Sequence, residues 1–296
     1  MFDLSGISIP ITTPFRQEKI AFKKLERNIQ IWVQYHFKGF VLLGSTGEGA
    51  MLSLSEKKEF VETATQMIPD RFVKILGASF HSTKETIEFL RFGEKYGVDA
   101  GLVLPPHYYR SQMTPNTLRR FYSEISDESG LPIIIYHFPG VTGITFNADF
   151  ILDLAQNKRI IGIKDSSANL AFQQMLIKDG PEYFQVLTGS ASTLAPSLFA
   201  GAAGGIVALA NVAPQICTEL YESFLKNDSN AMKNLQQKIL YLNTLVTGKF
   251  GIPGIKFAMD RVGIYGGPAR LPFLPLEMKA KKQILDELKN LSLIRI

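Results

Sequence analysis

A chain of 296 residues with 46% hydrophobic content can bury a full core, and no Ser/Gly/Pro linker or charge run divides it into separate domains. The net charge is +5, but the basic residues come in pairs such as Lys23-Lys24, Lys57-Lys58, Arg119-Arg120 and Lys281-Lys282. Neither a dense basic stripe nor a known module is present, so nucleic acid is not an expected partner, and a mild bias toward anionic small molecules is. No apolar run approaches the roughly 20 residues of a membrane span. Met1–Ser5 lacks the basic-then-apolar pattern of a signal peptide. The lone Cys217 can form neither an internal disulfide nor a thiolate metal cluster. These features together predict a cytoplasmic protein without membrane contact.

In chain order, β-type runs alternate with amphipathic helices. Gly6–Ile11 reads as a strand, followed by Phe22, Leu25, Ile29, Trp32 and His36 at helical spacing. Phe40–Leu43 leads into Gly44-Ser45-Thr46-Gly47-Glu48-Gly49 and then a capping box, Ser53-x-x-Glu56. Phe72–Ala78 is followed by a second such box, Ser82-x-x-Glu85. Ala100–Leu104 leaves through a long loop ending at Thr114-Pro115, a cap followed by a proline suited to the first helical position. Pro132–Tyr136, Ile160–Lys164, Phe184–Thr188 and Gly205–Ala208 complete eight strands, with helices near 148–155, 169–177 and 193–200.

Continuous apolar runs such as Pro132-Ile133-Ile134-Ile135 suit parallel strands covered on both faces. The expected fold is an α/β (β/α)8 TIM barrel over residues 1–212. A helical extension over 213–296, of three or four helices, is expected to pack on it as one structural unit. An open doubly wound sheet is the alternative, weakened by the lack of a G-x-G-x-x-G turn after the first strand.

Barrels of this kind place their chemistry at the C-terminal ends of the strands. The residues there are Thr12-Thr13, Ser45-Thr46, Tyr108-Tyr109, Tyr136-His137, Lys164-Asp165, Gly189-Ser190 and Asn211. Lys164 stands out, because an apolar strand delivers an amine into the barrel mouth. Lost hydration there favours a neutral amine that can attack a carbonyl. The plain alternative is a lysine that snorkels or pairs with Asp165. Tyr136 ends the preceding strand, within reach of an adduct on Lys164, and a phenol can relay the protons that imine formation moves. The Gly-flanked Ser45-Thr46 turn suits a carboxylate, although it could be an ordinary strand-to-helix turn. His36, His81, His107 and His137 show no HxH or HExxH spacing, so a metal-independent reaction is expected.

The segments Gly44–Glu48, Pro106–Tyr109, Tyr136–Gly143, Gly162–Ser166 and Gly201–Asn211 occur in the order seen in one family. The chain resembles the dihydrodipicolinate synthase/N-acetylneuraminate lyase family over essentially its whole length. The resemblance implies class I chemistry with no cofactor: Lys164 as the Schiff-base lysine for a 2-oxo acid such as pyruvate, and Tyr136 as proton relay. It further implies Ser45 and Thr46 on the substrate carboxylate, and Gly189, Ile206 and Ser166 around the substrate. Tyr108, or its neighbour Tyr109, matches a tyrosine exchanged across a subunit interface, usually in a homotetramer built as a dimer of dimers.

Two departures bear on the substrate. Val141 stands where the synthases carry an arginine for the second substrate's carboxylate. Ser190-Ala191-Ser192 stands where sialic-acid lyases carry acidic residues. The stretches Gly201–Asn211, Phe250–Lys256 and Tyr265–Pro268 are similar to the branch containing 4-hydroxy-2-oxoglutarate aldolases. A lyase acting on a 4-hydroxy-2-oxo acid or a 2-keto-3-deoxy sugar acid is therefore the leading expectation. The alternatives are the condensation of pyruvate with aspartate semialdehyde, and a non-catalytic 2-oxo-acid-binding regulator.

Overall fold

Eight apolar segments too short for helices pair edge to edge until the first meets the last. In the computed structural model, which describes residues 2–294, they are β1 Gly6–Pro10, β2 Gly39–Leu42, β3 Val73–Ala78, β4 Ala100–Val103, β5 Ile133–His137, β6 Ile160–Asp165, β7 Gln185–Thr188 and β8 Gly204–Ile206. Each is parallel to its sequence neighbour, and β8 returns to β1 through Gly6↔Gly204 and Ser8↔Ile206. This is the (β/α)8 barrel. Every expected strand forms within two residues of its expected ends.

The helices between strands are α1 Phe22–Trp32, α2 Leu54–Met67, α3 Thr83–Lys95, α4 Pro115–Glu128, α5 Ala148–Leu154, α6 Leu170–Asp179 and α7 Leu194–Phe199. Helix α8, Pro214–Leu225, follows β8 and packs on β1. Three more helices follow: α9 Ser229–Asn243, α10 Gly251–Arg261 and α11 Met278–Asn290, with a π-helical turn over Thr244–Lys249 between the first two. They share one apolar cluster with the barrel's outer face, so Met232, Ile239, Ile255 and Ile284 continue the layer of Ile7, Trp32 and Phe40. Met1, Arg295 and Ile296, at the ends of the two expected segments, lie outside the described residues.

The caps behave as their chemistry dictates, with two differences. At α2 both halves of the capping box form: Glu56 N–H donates to Ser53 Oγ at 3.3 Å and Ser53 N–H to Glu56 Oε2 at 2.8 Å. At α3 only the first half forms, with Glu85 N–H donating to Ser82 Oγ at 3.5 Å. Thr114 caps α4, with Pro115 in its first turn. His36 lies beyond the end of α1, exposed and bonded to Glu222 at 2.7 Å, so the apolar stripe of that helix ends at Trp32. The hairpin of Phe15–Arg16 with Lys19–Ile20 has no counterpart in the sequence reading, because strands of two residues carry no periodicity.

A second, smaller cluster fills the barrel: Val41, Ile75, Leu102, Ile134, Tyr136, Ile161, Leu187 and Ile206, with Leu4. The start of the chain is tied to the strand starts, because Leu4 N–H donates to Gln185 Oε1 at 2.7 Å and Gln185 Nε2 donates to the Phe2 carbonyl at 2.6 Å. Fully burying one Leu or Ile contributes about 1.5–3 kcal/mol. The cluster reaches the C-terminal strand ends at Tyr136 and Ile206, where polar side chains such as Lys164 join it.

Between β5 and β6 the ladder carries one extra residue. Ile133 pairs with Ile160, but Ile134 pairs with Gly162. Ile160 and Ile163 both face the outer layer, while Ile161 joins the interior cluster. Strict alternation from Ile160 would send Lys164 outward toward the helices. The bulge reverses the phase, so Lys164 comes into register with Tyr136, on the inner face.

Candidate active site

Tyr136 and Lys164 are direct cross-strand partners at the ends of β5 and β6. Lys164 is 5% exposed and Tyr136 3%, and the ammonium nitrogen sits 4.3 Å from the centre of the phenol ring. Among the described residues Lys164 forms no salt bridge. The alternative pairing with Asp165 does not occur, because the next position along each strand faces the opposite way. There His137 Nδ1–H donates to Asp165 Oδ1 at 2.9 Å, and His137 Nε2 accepts from the Phe146 N–H at 3.2 Å. Gln173 Nε2 and the Ser167 N–H also donate to the Asp165 carboxylate, at 2.9 and 3.0 Å. Burial alone would raise the Asp165 carboxyl, but these hydrogen bonds outweigh it and hold it below the usual aspartate value. One face thus leaves an amine unpaired, and the other gives both His137 ring nitrogens and both Asp165 carboxylate oxygens a partner.

The loop after β2 winds tightly: Gly47 and Gly49 N–H donate to the Gly44 carbonyl, and Glu48 N–H donates to Ser45 at 3.1 Å. Among the described residues, the N–H groups of Ser45 and Thr46 have no backbone acceptor. Ser45 Oγ lies 3.4 Å from Tyr136 Oη, linking this turn to the amine's neighbour. Two free N–H groups with two hydroxyls make a nest that can accept a carboxylate.

The third wall comes from β6 and β7. Ser166 N–H donates to the His137 carbonyl, and Gly189 N–H donates to the Asp165 carbonyl at 2.7 Å. A Cβ at position 189 would lie 2.0 Å from Ser166 Oγ, so any larger residue there would displace the Ser166 side chain. Ile206 is fully buried in the interior cluster at the end of β8. Tyr108 stands apart from all of these. It is 74% exposed, its neighbour Tyr109 69%, and its ring neighbours are Tyr109 and His81 rather than Tyr136. Other strand-end residues turn out to be staples. Asn211 accepts from Thr12 N–H and donates to the Pro10 carbonyl, and Thr13 Oγ1 donates to the Gly47 carbonyl at 2.6 Å.

Two features escaped the sequence reading. Glu48 and Lys256 form a buried ion pair beside the Ser45-Thr46 turn. Burial pushes the Lys256 ammonium below the usual lysine value, and Glu48 opposes that shift. Arg110 lies over Gly143 at the turn after β5, where an added Cβ would fall 2.4 Å from its Nη1. The Pro253-Gly254-Ile255-Lys256 run hinted at the first, as a lysine in an otherwise apolar helical stretch.

The family model described as the dihydrodipicolinate synthetase family matches residues 3–291. The chain belongs to that family. It is 30% identical over 291 residues to 4-hydroxy-tetrahydrodipicolinate synthase 1 of Clostridium acetobutylicum, covering 98% of both chains. Among solved structures, dihydrodipicolinate synthase from Aquifex aeolicus matches with a TM-score of 0.92 at 25% identity, over 98% of this chain and 99% of that one. A prophage protein of the same family from E. coli K12, YagE, solved in complex with pyruvate, matches with a TM-score of 0.92 at 26% identity and the same coverage. Family members are lyases and aldolases that use pyruvate Schiff-base chemistry.

Proposed function

We propose that this family member is a metal-independent class I aldolase that cleaves or forms a 4-hydroxy-2-oxo acid through a Schiff base on Lys164. The observation that carries the reading is the unpaired, buried amine in register with Tyr136, beside the unspent donors of Ser45 and Thr46. Ser45 and Thr46 hold the 2-oxo acid's carboxylate while Lys164 Nζ attacks its C2 carbonyl. Tyr136 relays the protons as the carbonyl oxygen leaves as water and the imine forms. Loss of the 4-hydroxyl proton then breaks C3–C4, releasing an aldehyde, and the electron pair moves into the imine to give an enamine. Protonation at C3 and hydrolysis by water return pyruvate and the free lysine. Gly189 and Ser166 line the substrate, and Ile206 closes the floor.

The substrate class is read from departures from two branches of the family: Val141, 49% exposed, stands where the synthases carry an arginine, and Ser190-Ala191-Ser192 stands where sialic-acid lyases carry acidic residues. A second reading, condensation of pyruvate with aspartate semialdehyde, has one observation in its favour. The guanidinium of Arg110 resting on Gly143 puts a cation two residues from Val141. Coupled assays of 4-hydroxy-2-oxoglutarate, 2-keto-3-deoxy sugar acids, and pyruvate with aspartate semialdehyde separate the two. Cleavage of one of the first two should be fastest; faster condensation would favour the second reading, and binding without turnover of any would leave only a 2-oxo-acid-binding protein. The exposure of Tyr108 and Tyr109 supports a homo-oligomer, a tetramer of paired dimers, in which Tyr108 completes the partner's proton path.

A further inference from the structure

Beneath the proposed carboxylate nest, three distant parts of the chain meet around one buried ion pair. The Glu48 side chain is fully buried, with its backbone in the left-handed region at φ 55°, immediately after the Gly44–Gly47 winding. One carboxylate oxygen meets Lys256 Nζ from α10, and the other accepts the Arg270 N–H at 2.7 Å. Lys256 Nζ also donates to the Thr13 carbonyl at 2.8 Å and the Pro268 carbonyl at 2.9 Å, and sits 4.5 Å above the Phe15 ring. Every direction open to the ammonium is therefore spent on the loop after β1, the loop after β2 or the segment after α10. Thr13 adds its hydroxyl to the Gly47 carbonyl. Arg270 grips Glu56 at the start of α2 with two bonds, at 2.8 and 2.7 Å, and donates to the Met51 carbonyl at 3.2 Å.

A buried ion pair is a poor way to gain stability, because desolvation offsets most of the attraction and an apolar pair of similar volume packs as well. It does confine geometry, since each partner must stay where its hydrogen bonds are met. Here the confined residue directly follows the turn whose Ser45 and Thr46 N–H groups lack backbone acceptors among the described residues. A non-glycine residue in the left-handed region persists only where its surroundings hold it.

We infer that the Glu48–Lys256 pair is the positioning device of the carboxylate nest: it holds Ser45 and Thr46 aimed at the substrate, and makes α10 part of the 2-oxo acid site. Neither residue touches substrate. The inference rests on the proposed carboxylate role of Ser45 and Thr46, and its test separates the two readings. The pyruvate concentration that half-saturates borohydride trapping on Lys164 is measured in the wild-type protein and in the Glu48→Gln/Lys256→Met double variant, which leaves no unpaired buried charge. Thr13→Val, which removes only the hydroxyl on the Gly47 carbonyl, serves as a milder variant that keeps the fold.

In the double variant the half-saturating concentration should rise about tenfold or more, while the maximal trapping rate stays within about threefold, the pattern of lost ground-state binding. Thr13→Val should move the same constant by about threefold, in line with the loss of one buried hydrogen bond. A lowered melting temperature with unchanged concentration dependence would reduce the pair to a structural role and overturn the inference alone. No saturable trapping in the wild-type protein would overturn both readings.

Discussion

On β5 and β6, neighbouring residues of the same two strands do opposite things. The inner pair, Tyr136 and Lys164, stands at the barrel mouth with an amine that no carboxylate of the described residues neutralises. The outer pair, His137 and Asp165, is closed off by Gln173, Ser167 and the Phe146 N–H, in a layer packed by Phe146 and Phe172. Both pairs are buried, so burial by itself does not mark a site. What separates them is whether the polar atoms have found partners within the fold. The bulge at Ile161 decides which pair faces which way.

This contrast can be broken one residue at a time. Tyr136→Phe removes the proposed proton relay and only one long hydrogen bond, 3.4 Å to Ser45, so turnover should fall by about 10²-fold or more with little change in melting temperature. A variant that keeps its rate would remove Tyr136 from the chemistry. Asp165→Ala should do the reverse. It strands the His137 Nδ1–H and the Gln173 amide in a buried layer, at a cost of about 3 kcal/mol by denaturant unfolding. The Asp165 carboxyl is held below its ordinary value, so its stabilisation is present above the unfolded aspartate range and is lost as pH falls through the folded value. The stability gap between wild type and Asp165→Asn should accordingly narrow in acid; a constant gap would mean that the outer pair does not depend on the ionised carboxylate.

The smallest effect concerns the residue that belongs to neither pair. If the proposed shared site holds, Tyr108→Phe lowers turnover by at least about tenfold, through the loss of the proposed proton-transfer group, while sedimentation still finds the proposed oligomer. A fully active monomer would exclude the shared site.

Much of this was written into the chain in readable form. Strands such as Ile133–Ile135 announce themselves by apolar runs of β-branched residues, and Tyr136 and Lys164 by their places at two consecutive strand ends. The bulge leaves no such mark, since Ile161 is one more isoleucine in an apolar run and only the pairing reveals it as extra. The Glu48–Lys256 pair was hidden for another reason. Each residue sits in a motif that was read for its neighbours, and nothing local brings α10 beneath the loop after β2. Arg110 over Gly143 is likewise a contact between two loops, invisible to any period.

Borohydride reduction in the presence of pyruvate, followed by peptide mass spectrometry, tests most directly whether Lys164 is the covalent residue. A single reduced pyruvate adduct on Lys164, unaffected by EDTA and absent from Lys164→Ala along with turnover, is the predicted result. An adduct on another lysine, no adduct at all, or a Lys164→Ala protein that still turns over at near-normal rate would contradict it.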